Sequence, residues 1–155
     1  MTTVGTDTRQ DLRRNLMRAA AWLRGEFRDV LEPFGLTPPQ YEILGILRSS
    51  APAPLSTLQI RERAVDPASD ASRLVDRLVT KGLVEKAPCC DDRRLVDVTI
   101  TPAGVRLLER IEADRDHLDA PLRALGDTEA HTLARLLRKL LDRGLSENLE
   151  FVQAD

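Results

Sequence analysis

Between Leu55 and Thr101 the hydrophobic pattern changes its period, and no other stretch restricts the fold of this chain as strongly. Ser56-Thr-Leu-Gln59 has the form of a capping box, in which the serine and glutamine side chains satisfy free backbone N–H groups; it opens a short helix to about Ala64. Val65-Asp66-Pro67 reads as a turn. Asp66 is expected to cap, and Pro67 to start, a helix that runs to Lys81 and stops at Gly82. Ala71, Leu74, Val75 and Leu78 recur at i, i+3, i+4 and i+7, so one side of that helix faces a core. The period then falls to two. Leu83 to Ala87 suits a short strand and Pro88 to Arg94 a polar turn. From Leu95 to Thr101, Val96, Val98 and Ile100 alternate with Asp97 and Thr99, the mark of a half-buried strand closing a hairpin.

Helix, turn, helix and hairpin in that order predict a mainly α fold with a small β component: a winged helix–turn–helix over residues 37–101. Residues 6–35 and 102–150 are expected to form a helical dimerisation region around it. Leu12, Leu16, Ala19, Leu23, Phe27, Val30 and Phe34 make one apolar stripe on a helix from Thr6 to Glu32, ended by Pro33 and Gly35. Thr37-Pro-Pro-Gln40 is a second capping box, and its helix continues through Tyr41, Leu44 and Leu47 to about Arg48. After a loop from Ser49 to Pro54, the winged segment follows. Thr101-Pro102 then caps a long helix with the stripe Val105, Leu108, Ile111, Leu118, Leu122 and Leu125. Gly126-Asp127-Thr128 breaks it, and a last helix carries Leu133, Leu136, Leu137, Leu140, Leu141, Leu145 and Leu149. These leucine stripes exceed what one small winged helix can cover, so partner helices of a second copy are expected to bury them; an intramolecular bundle is the other solution.

The second helix of the pair has an outward side of Ser69, Asp70, Ser72, Arg73, Arg77 and Lys81. Short polar residues and arginines near a helix N-terminus are what major-groove reading needs. Arginine makes bidentate contacts to guanine, and serine reaches base edges or phosphates. Ser56 and Thr57 at the start of the preceding helix join this set. The same residues are equally at home on a solvated face. Arg93, in the run Asp91-Asp92-Arg93-Arg94, stands at the expected hairpin tip, where it can enter a minor groove or grip phosphate. Asp92 and Arg94 are spaced to pair across the turn and stiffen it.

Charge offers this reading no help. The formal net charge is −2, and Leu55 to Thr101 carries eight basic and eight acidic residues. Any positive surface must come from where the side chains point. Aromatic residues are 3% of the chain, which argues against base stacking on Phe or Tyr as the binding mode.

Several phrases together are specific: Leu36-Thr-Pro-Pro-Gln-Tyr-Glu-Ile-Leu44, Ser72-Arg-Leu-Val-Asp-Arg-Leu78, Lys81-Gly-Leu-Val-Glu85, and Asp92-Arg-Arg94 leading to Val98-Thr-Ile-Thr-Pro-Ala-Gly104. In this order, over nearly the whole chain, they closely resemble the MarR family of transcriptional regulators. The resemblance implies a homodimer on pseudo-palindromic duplex DNA, with terminal helices interlocked, a recognition helix in each major groove and a wing in each flanking minor groove. It implies repression modulated by a small phenolic or anionic ligand in a cleft lined by helices that here bear Trp22, Phe27, Phe34 and Tyr41. It matches Asp92 and Arg94 to the family's wing pair. Asp70 departs from the family, which usually has a small or neutral residue there; an acid repels phosphate but can accept from cytosine N4. A dimer sets the half-sites about 34–36 Å apart.

Cys89 and Cys90 are adjacent, which offers no long-range disulfide and suggests a reducing, cytoplasmic setting. Beside Lys86, Arg93 and Arg94 they are candidates for a redox response, against the alternative of inert thiols. Two cysteines and the distant His117 and His131 make no zinc site, and no metal or other cofactor is expected. No nucleophile–base–orienter set or phosphate loop argues for an enzyme. A winged helix used for protein–protein contact is the rival reading, favoured by the neutral charge.

Overall fold

The computed structural model describes residues 4–66, 70–89 and 96–152. They fall into two compact units, one ending at Leu118 and one beginning at Asp119. In the first, α1 (Val4–Leu31) runs into a 3-10 turn (Glu32–Phe34) closed by Gly35 at φ +67°, a left-handed conformation that glycine adopts without penalty. The helix α2 (Pro38–Ser50) begins at the expected capping box, where the backbone N–H of Thr37 donates to Gln40 Oε1 at 3.2 Å. The second box is equally real: Ser56 N–H donates to Gln59 Oε1 at 2.9 Å and Gln59 N–H to Ser56 Oγ at 3.2 Å, opening α3 (Thr57–Arg63).

The next helix, α4 (Ala71–Thr80), starts later than the sequence suggests. Its N-cap is Asp70, whose side chain accepts from Arg73 N–H at 3.1 Å, and not Asp66. Pro67, Ala68 and Ser69 lie outside the described residues. The helix ends where expected. Gly82 at φ +70° lets Leu83 N–H reach Leu78 O at 3.0 Å and Gly82 N–H reach Val79 O at 2.8 Å, the paired bonds of a Schellman end.

Three antiparallel strands follow the order β1-β3-β2: β1 (Leu55–Ser56), β2 (Val84–Pro88) and β3 (Val96–Ile100). Leu55 pairs with Val98, and Val84 with Ile100 through to Pro88 with Val96. Pro88 is tolerated because β2 is an edge strand. The expected apolar face of β3 holds at Val98, which is fully buried, and in part at Ile100. It fails at Val96, which is 39% exposed because it pairs at the outer end of the hairpin, beyond the body.

The core gathers Leu31, Leu36, Ile43, Leu44 and Leu47 from α1, α2 and their junction. It adds Ile60 from α3, Val75 and Leu78 from α4, Val84 and Val98 from the sheet, and Leu108 and Ile111 from α5 (Pro102–Ala113). Thr101 caps α5: its hydroxyl accepts from Gly104 N–H at 3.1 Å and donates to Gly82 O at 2.8 Å.

The long helix expected from Pro102 to Leu125 is broken. After Asp114 come α6 (Arg115–Asp119) and a 3-10 turn (Ala120–Leu122). The backbone leaves the helix at Asp114 (φ −96°, ψ 49°), whose carboxylate binds His117 Nδ1 at 2.6 Å, and Pro121 in the 3-10 turn cannot supply a helical N–H there. In the second unit, α7 (Asp127–Val152) starts just after Gly126, whose N–H donates to Glu129 Oε2 at 2.9 Å. Its Leu133, Leu136, Leu140 and Leu141 are 40–63% exposed. No helix among the described residues is long and apolar enough to cross a membrane.

Candidate nucleic-acid interface

The amphipathic pattern of α4 is realised in three dimensions. Ala71, Val75 and Leu78 are buried and Leu74 packs against the core, while Ser72, Arg73 and Arg77 are exposed on the other side. Arg73 and Arg77 stand one turn apart, so both project from the same flank. Asp76 lies between them in sequence and is drawn to the Lys86 ammonium on β2, an ion pair that ties this helix to the hairpin.

Between the N-terminal ends of α3 and α4 lies a shallow cleft lined by Thr57, Leu58, Arg61, Asp70, Ala71 and Ser72. Thr57 and Ser72 are thus brought together as the sequence suggests. Ser56 stands at the start of α3, its hydroxyl oxygen occupied as a cap. Arg61 was missed. Its signal was available: four residues after Thr57, it shares a face of α3 with the residue already singled out.

Lys81 is exposed but tied back to the fold. The helical wheel sends it outward with Arg73 and Arg77, but it sits at the C-terminal end of α4, where its long chain turns back. Its ammonium donates to the Gly35 carbonyl and, at 3.2 Å, to Oε1 of Gln40, which is 2% exposed. A buried amide oxygen thereby gains a charged partner, and Lys81 ties the end of α4 to the α1–α2 junction.

Asp70 also differs from expectation. Its carboxylate does not stand alone: Oδ1 takes the Arg73 N–H, and Oδ2 lies 3.1 Å from Arg73 Nε. Ser69, Cys90, Asp92, Arg93 and Arg94 lie outside the described residues. Cys89 is a half-buried free thiol at the end of β2.

Of the four aromatic residues named as pocket candidates, Phe27, Phe34 and Tyr41 pack against the core. Phe27 meets Tyr41 edge to face, with ring centroids 5.4 Å apart, and Arg110 lies over the Phe34 ring at 5.8 Å. Trp22 is 51% exposed on α1 and does not join them. Beside this group Arg48 of α2 forms a two-pronged bond to Glu112 of α5, with Nη1 to Oε2 at 2.8 Å. That bond raises the Arg48 pKa further above its usual value. Burial, and then the Glu112 charge, raise the Tyr41 pKa above 10.0. His117 is held by Asp114 and His131 is exposed on α7. Among the described residues no cluster of three metal-ligating side chains occurs.

The MarR family model matches residues 34–95, from the α1–α2 junction to just before β3. Two transcriptional repressors of Pseudomonas putida are similar to the chain. IacR is 28% identical over 109 residues, 70% of this chain and 64% of that protein. NicR is 34% identical over 108 residues, 69% of this chain and 67% of that protein. Two solved structures share the fold. A point mutant of Escherichia coli MarR complexed with operator DNA superposes with a TM-score of 0.74 at 26% identity, over 84% of this chain and 94% of that one. Bordetella bronchiseptica BpsR, whose DNA binding is regulated by 6-hydroxynicotinic acid, gives 0.73 at 26% identity, over 84% and 98%.

Proposed function

The chain belongs to the MarR family of transcriptional regulators, not to any enzyme class, and from that premise we propose that it is a homodimeric repressor of sequence-specific duplex DNA whose affinity answers to a small aromatic acid. The observation that carries this reading is α4: one side is locked into the core by Val75 and Leu78, and the other offers Ser72, Arg73 and Arg77 to solvent. A helix held so firmly from behind presents its outward side chains in a fixed array, which base reading in a major groove requires. Ser56, Thr57 and Arg61 on α3 flank it and are assigned to phosphate or base edges. Arg93 is assigned to the minor groove from its position in the hairpin sequence.

The exposed leucines of α7 and, separately, the exposed Leu12, Met17 and Trp22 of α1 support a dimer, because exposed apolar side chains in such numbers are seldom left in water. The effector reading is supported by the Phe27–Tyr41 and Phe34–Arg110 contacts, an aromatic group with a guanidinium beside it, and by the regulation of BpsR by an aromatic acid.

The test is a selection of DNA fragments by the purified protein, followed by titration of the winning sequence with salt and with 6-hydroxynicotinic acid as probe. A palindromic winner is expected, with affinity falling steeply as salt rises. Arg73→Ala and Arg93→Ala should each weaken it. A flat salt response, or no enriched sequence, would overturn DNA reading in favour of a protein-binding winged helix.

A further inference from the structure

Asp70 is an acid at the mouth of a surface meant for a polyanion, and its two oxygens are both engaged by one neighbour. Oδ1 accepts the Arg73 backbone N–H at 3.1 Å as the helix cap, which fixes the carboxylate on the end of α4. Oδ2 then stands 3.1 Å from Arg73 Nε. A guanidinium has a side edge through Nε and an end edge through Nη1 and Nη2. The ion-pair contact at Nε keeps the guanidinium beside the carboxylate, and among the described residues the Nη1–Nη2 edge has no partner. That free pair of parallel donors matches the O6 and N7 acceptors of guanine.

We propose that Asp70 is a specificity-determining residue: it braces Arg73 so that the guanidinium reads guanine end-on, and its charge denies the same arginine to phosphate. The inference rests on α4 reading a major groove. The arginine side chain is 82% exposed and the aspartate 57%, so in water the ion pair adds little to folding. Its effect is on binding. A free arginine must give up much rotamer freedom to hold one edge against a base, and a braced one has already done so. Once DNA excludes water, the attraction between the two charges strengthens. An unbraced arginine, by contrast, is free to swing to the nearest phosphate, which gives affinity for any sequence. The arrangement therefore exchanges generic attraction for discrimination, in keeping with a winged segment whose basic and acidic residues balance.

Asp70→Asn separates the cap from the charge, since asparagine caps as well as aspartate but offers no anionic oxygen to Nε. The parent, Asp70→Asn, Arg73→Ala and the double variant are compared on the DNA that the parent selects and on random duplex. For Asp70→Asn the ratio of selected to random affinity should fall about tenfold, the worth of one bidentate base contact. Binding to random duplex should tighten, with a salt slope steeper by up to about 0.9 per subunit. In the Arg73→Ala background the same change should leave the ratio as it is. Nitrogen relaxation at Arg73 Nε in DNA-free protein should report an ordered side chain in the parent and a mobile one in Asp70→Asn. Equal loss of discrimination with and without Arg73 would mean that the carboxylate reads a base itself, and would overturn the brace. So would an unchanged ratio in Asp70→Asn, or Nε motion that is the same in both. If the parent enriches no sequence, the DNA-reading proposal fails and takes this one with it, an outcome distinct from either of those.

Discussion

Gly104→Ala is a sharp test of how the wing is joined to α5, because propensity and packing predict opposite signs. In an open helix, alanine is worth about 1 kcal/mol more than glycine. Here a Cβ on residue 104 would lie under 3.0 Å from the Leu83 carbonyl oxygen and 2.8 Å from Ile100 Cγ1. The isoleucine tip has some freedom to turn aside. The carbonyl does not, because it already accepts from Thr101 N–H at 3.0 Å, and the Thr101 hydroxyl in turn links Gly104 N–H to Gly82 O. Making room means pulling α5 away from the turn after α4 and stretching those bonds. Overpacking against backbone sits near the top of its usual range, about 3 kcal/mol. A weakened hydrogen bond adds about 1 kcal/mol, and the propensity gain of about 1 offsets it. The net loss is about 3 kcal/mol, which for a chain of this length lowers Tm by roughly 6–12 °C. Thermal melts followed by circular dichroism at one protein concentration measure it. Gly45→Ala is the control. Gly45 lies inside α2 with nothing within 4 Å of the added carbon, so that variant should gain about 0.5–1 kcal/mol. A Gly104→Ala protein that melts at or above the parent would refute the close approach of α5 to Leu83.

Three further outcomes follow from the site. Lys81→Ala should cost about 1 kcal/mol by leaving the Gly35 carbonyl and the buried Gln40 oxygen short of a donor. It should leave the salt slope of DNA binding untouched, whereas Arg77→Ala should reduce that slope by about 0.9 per lost phosphate contact; equal reductions would return Lys81 to the DNA side. Tyr41 is the one tyrosine in the chain, so ultraviolet titration reads it directly, with a midpoint expected above 10.0. Glu112→Gln removes a negative neighbour and leaves Arg48 unbalanced, so the midpoint should drop but stay above 10.0, since burial is the larger cause. Because folding favours the protonated phenol, its contribution to stability is complete below the unfolded pKa and is lost as pH rises through the folded one. Finally, Leu136→Asp with Leu140→Asp should convert a dimer to monomer in sedimentation and abolish tight operator binding; a dimer that survives both would remove α7 from the interface.

What the sequence made legible was local. Thr37 with Gln40, and Ser56 with Gln59, announce their helices because both partners of each bond lie three residues apart. What it hid depends on residues far away or on a choice between equals. Asp66 and Asp70 are both good caps, four residues apart, and local rules do not rank them; burial of Ala71 against the core coincides with the later start. The apolar stripe from Val105 to Leu125 reads as one helix, and only the folded backbone shows the turn at Asp114 and the 3-10 turn that holds Pro121. A two-residue strand such as β1 has no period to detect, and shows only once Leu55 meets Val98. The contacts of Lys81 stay hidden because a helical wheel records where a side chain leaves the helix, not where its far end comes to rest. Its partner Gly35 lies 46 residues away.

The same distinction settles the chain's neutral charge. Eight bases and eight acids between Leu55 and Thr101 cancel in number, yet they are not equally available. Asp76 is held by Lys86, and Asp70 is occupied by the α4 cap and by Arg73. The Lys81 ammonium is engaged by the Gly35 carbonyl and by Gln40 Oε1, and Arg63 Nη1 is spent on Ser50 Oγ at 2.6 Å. Among the described residues, Arg61 lines the α3–α4 cleft, and Arg73 and Arg77 are exposed on α4. Under the proposed DNA reading these arginines supply the local contacts, while the low net charge keeps long-range attraction to arbitrary duplex weak. On the proposed reading such a regulator depends on the geometry of a few fixed contacts, and an aspartate that steadies one arginine would then matter more to its selectivity than any surplus of positive charge.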